Sequence, residues 1–317
     1  MDWLSPSDFL AIPFNDWVNA FVKGWLVPNF RPFFRAIQWP VVQVLDGLDY
    51  VLNAVPMLLF TAILTTVAWR AAGRGVGIFT LASLFFIDLI GLWSETMTTL
   101  AMVVTAVLFC VIIGVPLGVA AARSDLFEKI QRPILDVMQT IPSFVYLVPI
   151  VMLFGVGMVP GIIATIIFAL PPIVRLTNLG IRSVRADLTE AATSFGATSW
   201  QALVEVQFPL AIRTIMAGLN QTLMLALSMA VIVALIGGGG LGLTVFTGLG
   251  RLDVGNATAG GVGIVLLAII LDRISQAVGE RKAVHTTSLA ATLKSFFAPA
   301  TRSEAGANHE RAAPKGL

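Results

Sequence analysis

Seven stretches of this chain are apolar for long enough to cross a bilayer, and that settles the class of fold before any motif is considered. A hydrocarbon core about 30 Å thick needs a helix of about 20 mostly apolar residues. Residues 50–69, 75–93, 97–121, 134–156, 158–181, 211–236 and 257–276 reach or nearly reach that length. Inside hydrocarbon every backbone N–H and C=O must be satisfied within its own segment, so these stretches are helices. Composition agrees: 57% of the residues are hydrophobic and 12% charged, where a soluble domain carries about a quarter charged. The chain is therefore expected to be an all-α integral membrane protein with about seven transmembrane helices.

The position of the charges says more than the net charge of +2, which is too small to point to nucleic acid. Arg70 and Arg74 lie between the first and second stretches, and Arg123, Lys129 and Arg132 between the third and fourth. Arg182, Arg185 and Arg213 surround the fifth connection, and Arg273, Arg281 and Lys282 follow the last stretch. The alternate connections hold only Glu95, nothing charged around Gly155–Gly161, and Arg251 with Asp253. Basic loops stay in the cytoplasm. Seven spans then put the N-terminus outside and the C-terminus inside.

The two flanks read differently. Asp2, Asp8 and Asp16 interrupt the N-terminus, which does not look like a signal peptide. In residues 1–49, Phe9, Phe14, Trp17, Phe21, Trp25, Phe30, Phe33 and Phe34 alternate with Asp16, Lys23 and Arg31. This is either an amphipathic region of one or two interfacial helices on the outer face or a partly ordered tail. Residues 277–317 form a cytoplasmic tail rich in Ala, Thr, Ser and charge, with Pro299 and Pro314, expected to be partly disordered. The single cysteine, Cys110, has no intrachain partner, and the two histidines, His285 and His309, belong to the tail, so no metal spacing exists.

One long polar interval breaks the apolar pattern: ADLTEAATSFGATSWQALVEVQFP, residues 186–209. Asp187 with Glu190 three residues later predicts a capping box at a helix start. Leu188, Ala191, Ala192 and Phe195 recur at helical spacing, and Gly196 suits the left-handed residue that ends a helix. Thr198 with Gln201 predicts a second box, after which Trp200, Leu203 and Val204 share a side. Pro209 is expected where the chain turns back into the bilayer.

The spacing Glu190-Ala191-Ala192, Gly196, Val206, Phe208, Pro209 resembles the cytoplasmic coupling loop of ATP-binding-cassette (ABC) importer permeases. Val206 and Phe208 stand where that family usually has Ile and Leu. Residues 138–157, 166–176, 219–232 and 250–273 extend the likeness to the permease subunit of glycine betaine/proline betaine/choline importers. The resemblance implies an ABC type I importer permease fold. It implies a core over 96–276 that includes loop 186–209, preceded by two accessory transmembrane helices in 50–95. It also implies a bacterial inner membrane, a second permease copy, two cytoplasmic ABC ATPase subunits and an extracytoplasmic substrate-binding protein. ATPase coupling would then fall on Asp187, Glu190, Ala191, Ala192, Gly196, Ala197, Trp200 and Pro209.

The chain has no engine of its own that the sequence reveals. No G-x-x-x-x-G-K-[ST] loop occurs, and the run Gly237–Gly240 leads into Leu241-Gly242 without a lysine. ATP and Mg belong to the partner subunit, and no cofactor is expected in this chain. The glycine run either unwinds the outer end of the sixth helix or forms a simple turn. The alternative class, an ion-coupled secondary transporter of small amines, needs carboxylates at mid-membrane. Asp88 is the strongest candidate, and it lies only five residues before Trp93. A membrane-embedded enzyme is disfavoured, because residues 50–276 contain no histidine.

Polar residues within spans mark a path or glue helices together. Asn220, Gln221, Thr222 and Ser228 on one helix, and Ser143, Phe144 and Tyr146 beside Pro142 and Pro149 on another, are the candidates. Phe144 and Tyr146 offer aromatic faces to a quaternary ammonium. The resemblance leaves high-affinity selection to the external binding protein.

Overall fold

The computed structural model describes residues 13–296, and all regular structure in them is helical. A short helix α1 (Phe14–Asn19) passes through a π-helical stretch into α2 (Val27–Ala54). There follow α3 (Met57–Ala72), α4 (Arg74–Leu89), α5 (Trp93–Arg123), α6 (Asp125–Thr140), α7 (Leu147–Phe154) and α8 (Met158–Arg182). The polar interval holds α9 (Ala186–Ser194) and α10 (Ser199–Gln201), and then come α11 (Phe208–Ala234), α12 (Leu241–Gly250) and α13 (Val254–Phe296). Phe9 and residues 297–317, with Pro299, His309 and Pro314, lie outside the described residues.

The core is the packing of α5, α8 and α11, joined by α13. Cys110, Ile162, Ile173, Met229, Val233 and Leu267 are among its buried side chains. Small residues let these backbones come close, as in other membrane bundles. A Cβ on Gly114 would lie 2.4 Å from Ile173 Cγ2, and one on Gly161 would lie 2.1 Å from Val233 Cγ1.

The bundle has two distinguishable ends. At one, Gly157 N donates to Ile236 O at 2.7 Å and Leu241 N donates to Thr99 Oγ1 at 2.8 Å. At the other, Arg182 Nη2 donates to Ala121 O at 2.8 Å, beside α9. α2 lies across the first end. Gln38 Nε2 donates to Phe154 O at 2.9 Å, Asp49 Oδ1 accepts from Thr98 Oγ1 at 3.0 Å, and Val41 and Leu45 are buried. Its side chains Phe33 and Trp39 stay exposed, as do Trp17, Phe21 and Trp25 in the stretch before it. The expected boundary at residues 49–50 therefore falls inside a helix.

Other expectations are corrected. Among the described residues four helices are long and apolar enough to span, or up to six if each bent pair counts as one, beside the seven read from the sequence. α3 and α4 have 16 residues each, about 24 Å of helix. The expected span 134–156 is not one helix: α6 and the segment Ser143–Phe154 meet at 104°. Pro142 is the cause, since the residue before a proline is driven out of the helical region, and Ile141 is extended at ψ 128°. Pro209 marks no turn. The helix runs unbroken over Ser199–Ala234, and a π-helical stretch, Ala202–Gln207, absorbs the proline instead. The end of α11 unwinds through a turn in which Gly237 N donates to Ala234 O at 3.2 Å, and Gly237–Gly240 is a packed connection: a Cβ on Gly240 would lie 2.4 Å from Thr99 Oγ1. It leads into α12, a short helix the span pattern missed. α13 continues past residue 276 to Phe296, so the tail does not begin there.

Candidate functional site

The polar interval projects from the second end of the bundle as two helices joined at a glycine. α9 contains no buried residue. Its C-terminus closes as a Schellman motif: Gly196 N donates to Thr193 O at 2.9 Å and Ala197 N donates to Ala192 O at 3.1 Å. That pair of bonds needs a left-handed residue, and Gly196 has φ 89°. A Cβ there would meet nothing within 4 Å, so only the backbone demands glycine. The second capping box is present. Thr198 Oγ1 accepts from Gln201 N at 3.3 Å, and Thr198 N donates to Gln201 Oε1 at 2.8 Å.

The first box is absent. α9 begins at Ala186, and the N-cap position belongs to Arg185, with no side-chain cap bond. Asp187 is already inside the first turn, and its carboxylate accepts from Arg185 Nε at 3.1 Å and Nη2 at 2.6 Å. An acid there still faces the positive end of the helix dipole. Glu190 takes part through its backbone: its carbonyl accepts from Thr193 Oγ1 and Ser194 Oγ, both at 2.8 Å.

The apolar side chains of this interval split into two sets. Phe195 is 93% exposed and Trp200 63%, while Leu203 is only 3% exposed and belongs to the core. Trp200 and Leu203 therefore do not share a side: the loop is anchored by Ala202 and Leu203 and presents Leu188, Phe195, Trp200 and Val204 outward. Ala191 is exposed, Ala192 and Ala197 are half-buried, and Pro209 is half-buried at the root.

A charged collar missed in the sequence flanks the loop. Arg182 pairs with Asp125 at 2.7 Å and with Glu128 at 3.0 Å, Asn178 Nδ2 donates to Glu128 Oε1 at 3.1 Å, and Arg175 pairs with Asp136 at 2.5 Å. These bonds tie α6 to α8. The available signal was Arg175 inside an apolar stretch, since a charge in a span demands a partner.

The path candidates fall in three groups. Phe144, Gln221 and Ser228 are exposed on the isolated chain, and Ser143 and Asn220 are half-buried. Asn220 Nδ2 donates to Asp272 Oδ1 at 2.8 Å and Ser275 Oγ donates to Asn220 Oδ1 at 2.6 Å, linking α11 to α13. Tyr146 and Thr222 are buried. The Tyr146 hydroxyl donates to Met138 O, satisfying a carbonyl at the end of α6, and its ring does not front an open surface. Asp272 accepts from Asn220 and, at 2.7 Å, from Gln276 Nε2. Asp88 is exposed at the end of α4.

A family model described as binding-protein-dependent transport system inner membrane component matches residues 114–284. The chain belongs to this family. The match takes in α8, the α9–α10 loop, α11 and α12 whole. Among similar proteins, the glycine betaine/proline betaine transport system permease protein ProW of Escherichia coli is 56% identical over 277 residues, covering 87% of this chain and 78% of ProW. The glycine betaine transport system permease protein OpuAB of Bacillus subtilis is 43% identical, covering 86% of this chain and 96% of OpuAB. The glycine betaine/carnitine transport permease protein GbuB of Listeria monocytogenes is 45% identical, with 86% and 97% covered. A solved chain of the MetNI methionine ABC transporter, inward facing, superposes with a TM-score of 0.51 at 22% identity, covering 59% of this chain and 92% of that one. That likeness shows the shared permease fold. As a multi-pass inner-membrane permease, the chain is a transport component rather than an ion-coupled carrier.

Proposed function

We propose that this chain is the membrane pathway of an ATP-driven importer for a compatible solute such as glycine betaine, proline betaine, proline or choline. The observation that carries the proposal is the α9–α10 loop: two short helices, rigid at Gly196 and Thr198, that push Phe195 and Trp200 into solvent while Leu203 holds them to the core. Large exposed aromatics on a braced projection suit a groove in another protein. The permease names of ProW, OpuAB and GbuB support the same role.

In this account two ATPase subunits bind the loops of two permease copies from the cytoplasm. Their closure moves the loop as a lever on α11, with which α10 is continuous. The helices then switch from inward-facing to outward-facing. The basic end, with Arg123, Arg182 and Arg185, is cytoplasmic, and the end crossed by α2 receives the solute-loaded binding protein. Phe144, Gln221 and Ser228 line the route, with Ser143 and Asn220 at its edge.

The test is uptake by the reconstituted importer carrying Gly196→Val or Glu190→Lys. Both variants are expected in the membrane at normal amounts, with ATP-dependent uptake lost. Normal uptake in both refutes the assigned role.

A further inference from the structure

Between α6 and α8, at the end that carries α9, lies a cavity of about 360 Å³ whose lining includes Glu128, Gln131, Arg132, Asp136, Arg175 and Arg182. Gln131 is only 8% exposed, and its Nε2 has no hydrogen-bond partner among the described residues. A buried amide donor left unpaired costs about 1–3 kcal/mol, so a ligand acceptor oxygen in this cavity gains a bond that the chain itself does not supply. Arg132, the next residue, pairs with no acid among the described residues, while Arg175 and Arg182 are engaged by Asp136, Asp125 and Glu128.

The charge balance narrows the ligand. Three guanidinium groups line the cavity against the carboxylates of Glu128 and Asp136, and Asp125 on Arg182 makes the count even. A simple anion gains little in a balanced site, because repulsion from the acids offsets attraction to the arginines. A dipolar group gains at both ends. Outside the cavity, α6 exposes Leu126, Ile130, Ile134 and Val137. Their spacing of four, four and three residues puts them on one helical stripe, an apolar surface next to a polar hole.

We propose that the α6–α8 cavity binds a zwitterion, with its oxyanion on Gln131 and Arg132 and its cation facing Asp136 and Glu128, and that the usual occupant is an ethanolamine-type phospholipid headgroup. The acyl chains then cover the α6 stripe. The same chemistry is carried by a free zwitterionic solute, and the two sources are separable. The proposal does not depend on which solute is imported or on how ATPases engage the loop.

The experiment is native mass spectrometry on the full-length chain, delipidated in detergent and titrated with phosphatidylethanolamine, phosphatidylglycerol, phosphoethanolamine or glycine betaine. One phosphatidylethanolamine should bind in preference to phosphatidylglycerol. Its apparent Kd should rise about tenfold, the loss of one charge-assisted bond, in Gln131→Leu and in Arg132→Gln. Lys129→Gln, on exposed α6 surface, should not change it. Gln131→Leu replaces the orphan amide by an apolar group, so a thermal midpoint at or above the parent's shows that lost binding is not lost folding. Binding of phosphoethanolamine or glycine betaine with the same dependence on Gln131 and Arg132, and without lipid retention, supports the site and assigns it to a free zwitterion. Phosphatidylglycerol bound equally well, or retention unchanged in both variants, overturns the proposal.

Discussion

At Gly196 a single backbone angle fixes the shape of the loop. Its φ of 89° closes α9, and no neighbour lies within 4 Å of a Cβ built on it. The penalty for another residue is conformational, about 1–2 kcal/mol, and smaller for asparagine, which tolerates the left-handed region. Gly196→Asn should therefore keep more coupled uptake than Gly196→Val, with equal amounts of both in the membrane. Equal uptake by the two removes the Schellman turn from the mechanism. Trp200 and Leu203 make the complementary pair. Leu203→Ala empties a buried site and should destabilise the chain by about 2–5 kcal/mol. Trp200→Ala removes exposed surface, and its effect on stability should stay within about 0.5 kcal/mol while binding of the ATPase weakens. A large drop in the midpoint for Trp200→Ala places that ring in the core instead.

At the scale of elements, what could be read from sequence followed the range of the interaction. The Thr198–Gln201 box was legible because donor and acceptor lie three residues apart. The parallel reading of Asp187 failed for an equally local reason: Arg185 takes the cap position and Asp187 pairs with it. Hydropathy found α5, α8, α11 and α13 but passed over the bend at Pro142, because a window average is blind to one extended residue. It also missed α12, whose ten residues are too few to register as a span. The collar of Arg175, Arg182, Asp125, Glu128 and Asp136 joins residues 39 or more positions apart, which no local pattern reveals. Close packing was equally hidden. Gly161→Leu must push a side chain into Val233, and overpacking of this kind costs about 1–3 kcal/mol. The variant should lower the thermal midpoint in detergent, whereas Gly261→Leu, with nothing within 4 Å, should not.

For the whole molecule, the fold separates its tasks by end. One end is crossed by α2 and closed by the α11–α12 connection; the other carries the basic residues and the braced loop. The core of α5, α8 and α11 lies between them, and α11 is the direct continuation of α10. In the proposed mechanism a push on Trp200 reaches α11 without passing through a break in the helix. The orientation can be checked in intact cells. Cysteines placed at Trp200 and at Leu249, both exposed, should react with a membrane-impermeant maleimide only at position 249. Labelling at 200 alone inverts the topology.

The most direct measurement is a disulfide cross-link between a cysteine at position 200 and cysteines introduced around the ATPase groove in the assembled importer. The account predicts a cross-link from position 200, none from position 249, and uptake that stops on oxidation and returns on reduction. No cross-link from position 200 to any groove position, or uptake undiminished while the link is closed, contradicts it.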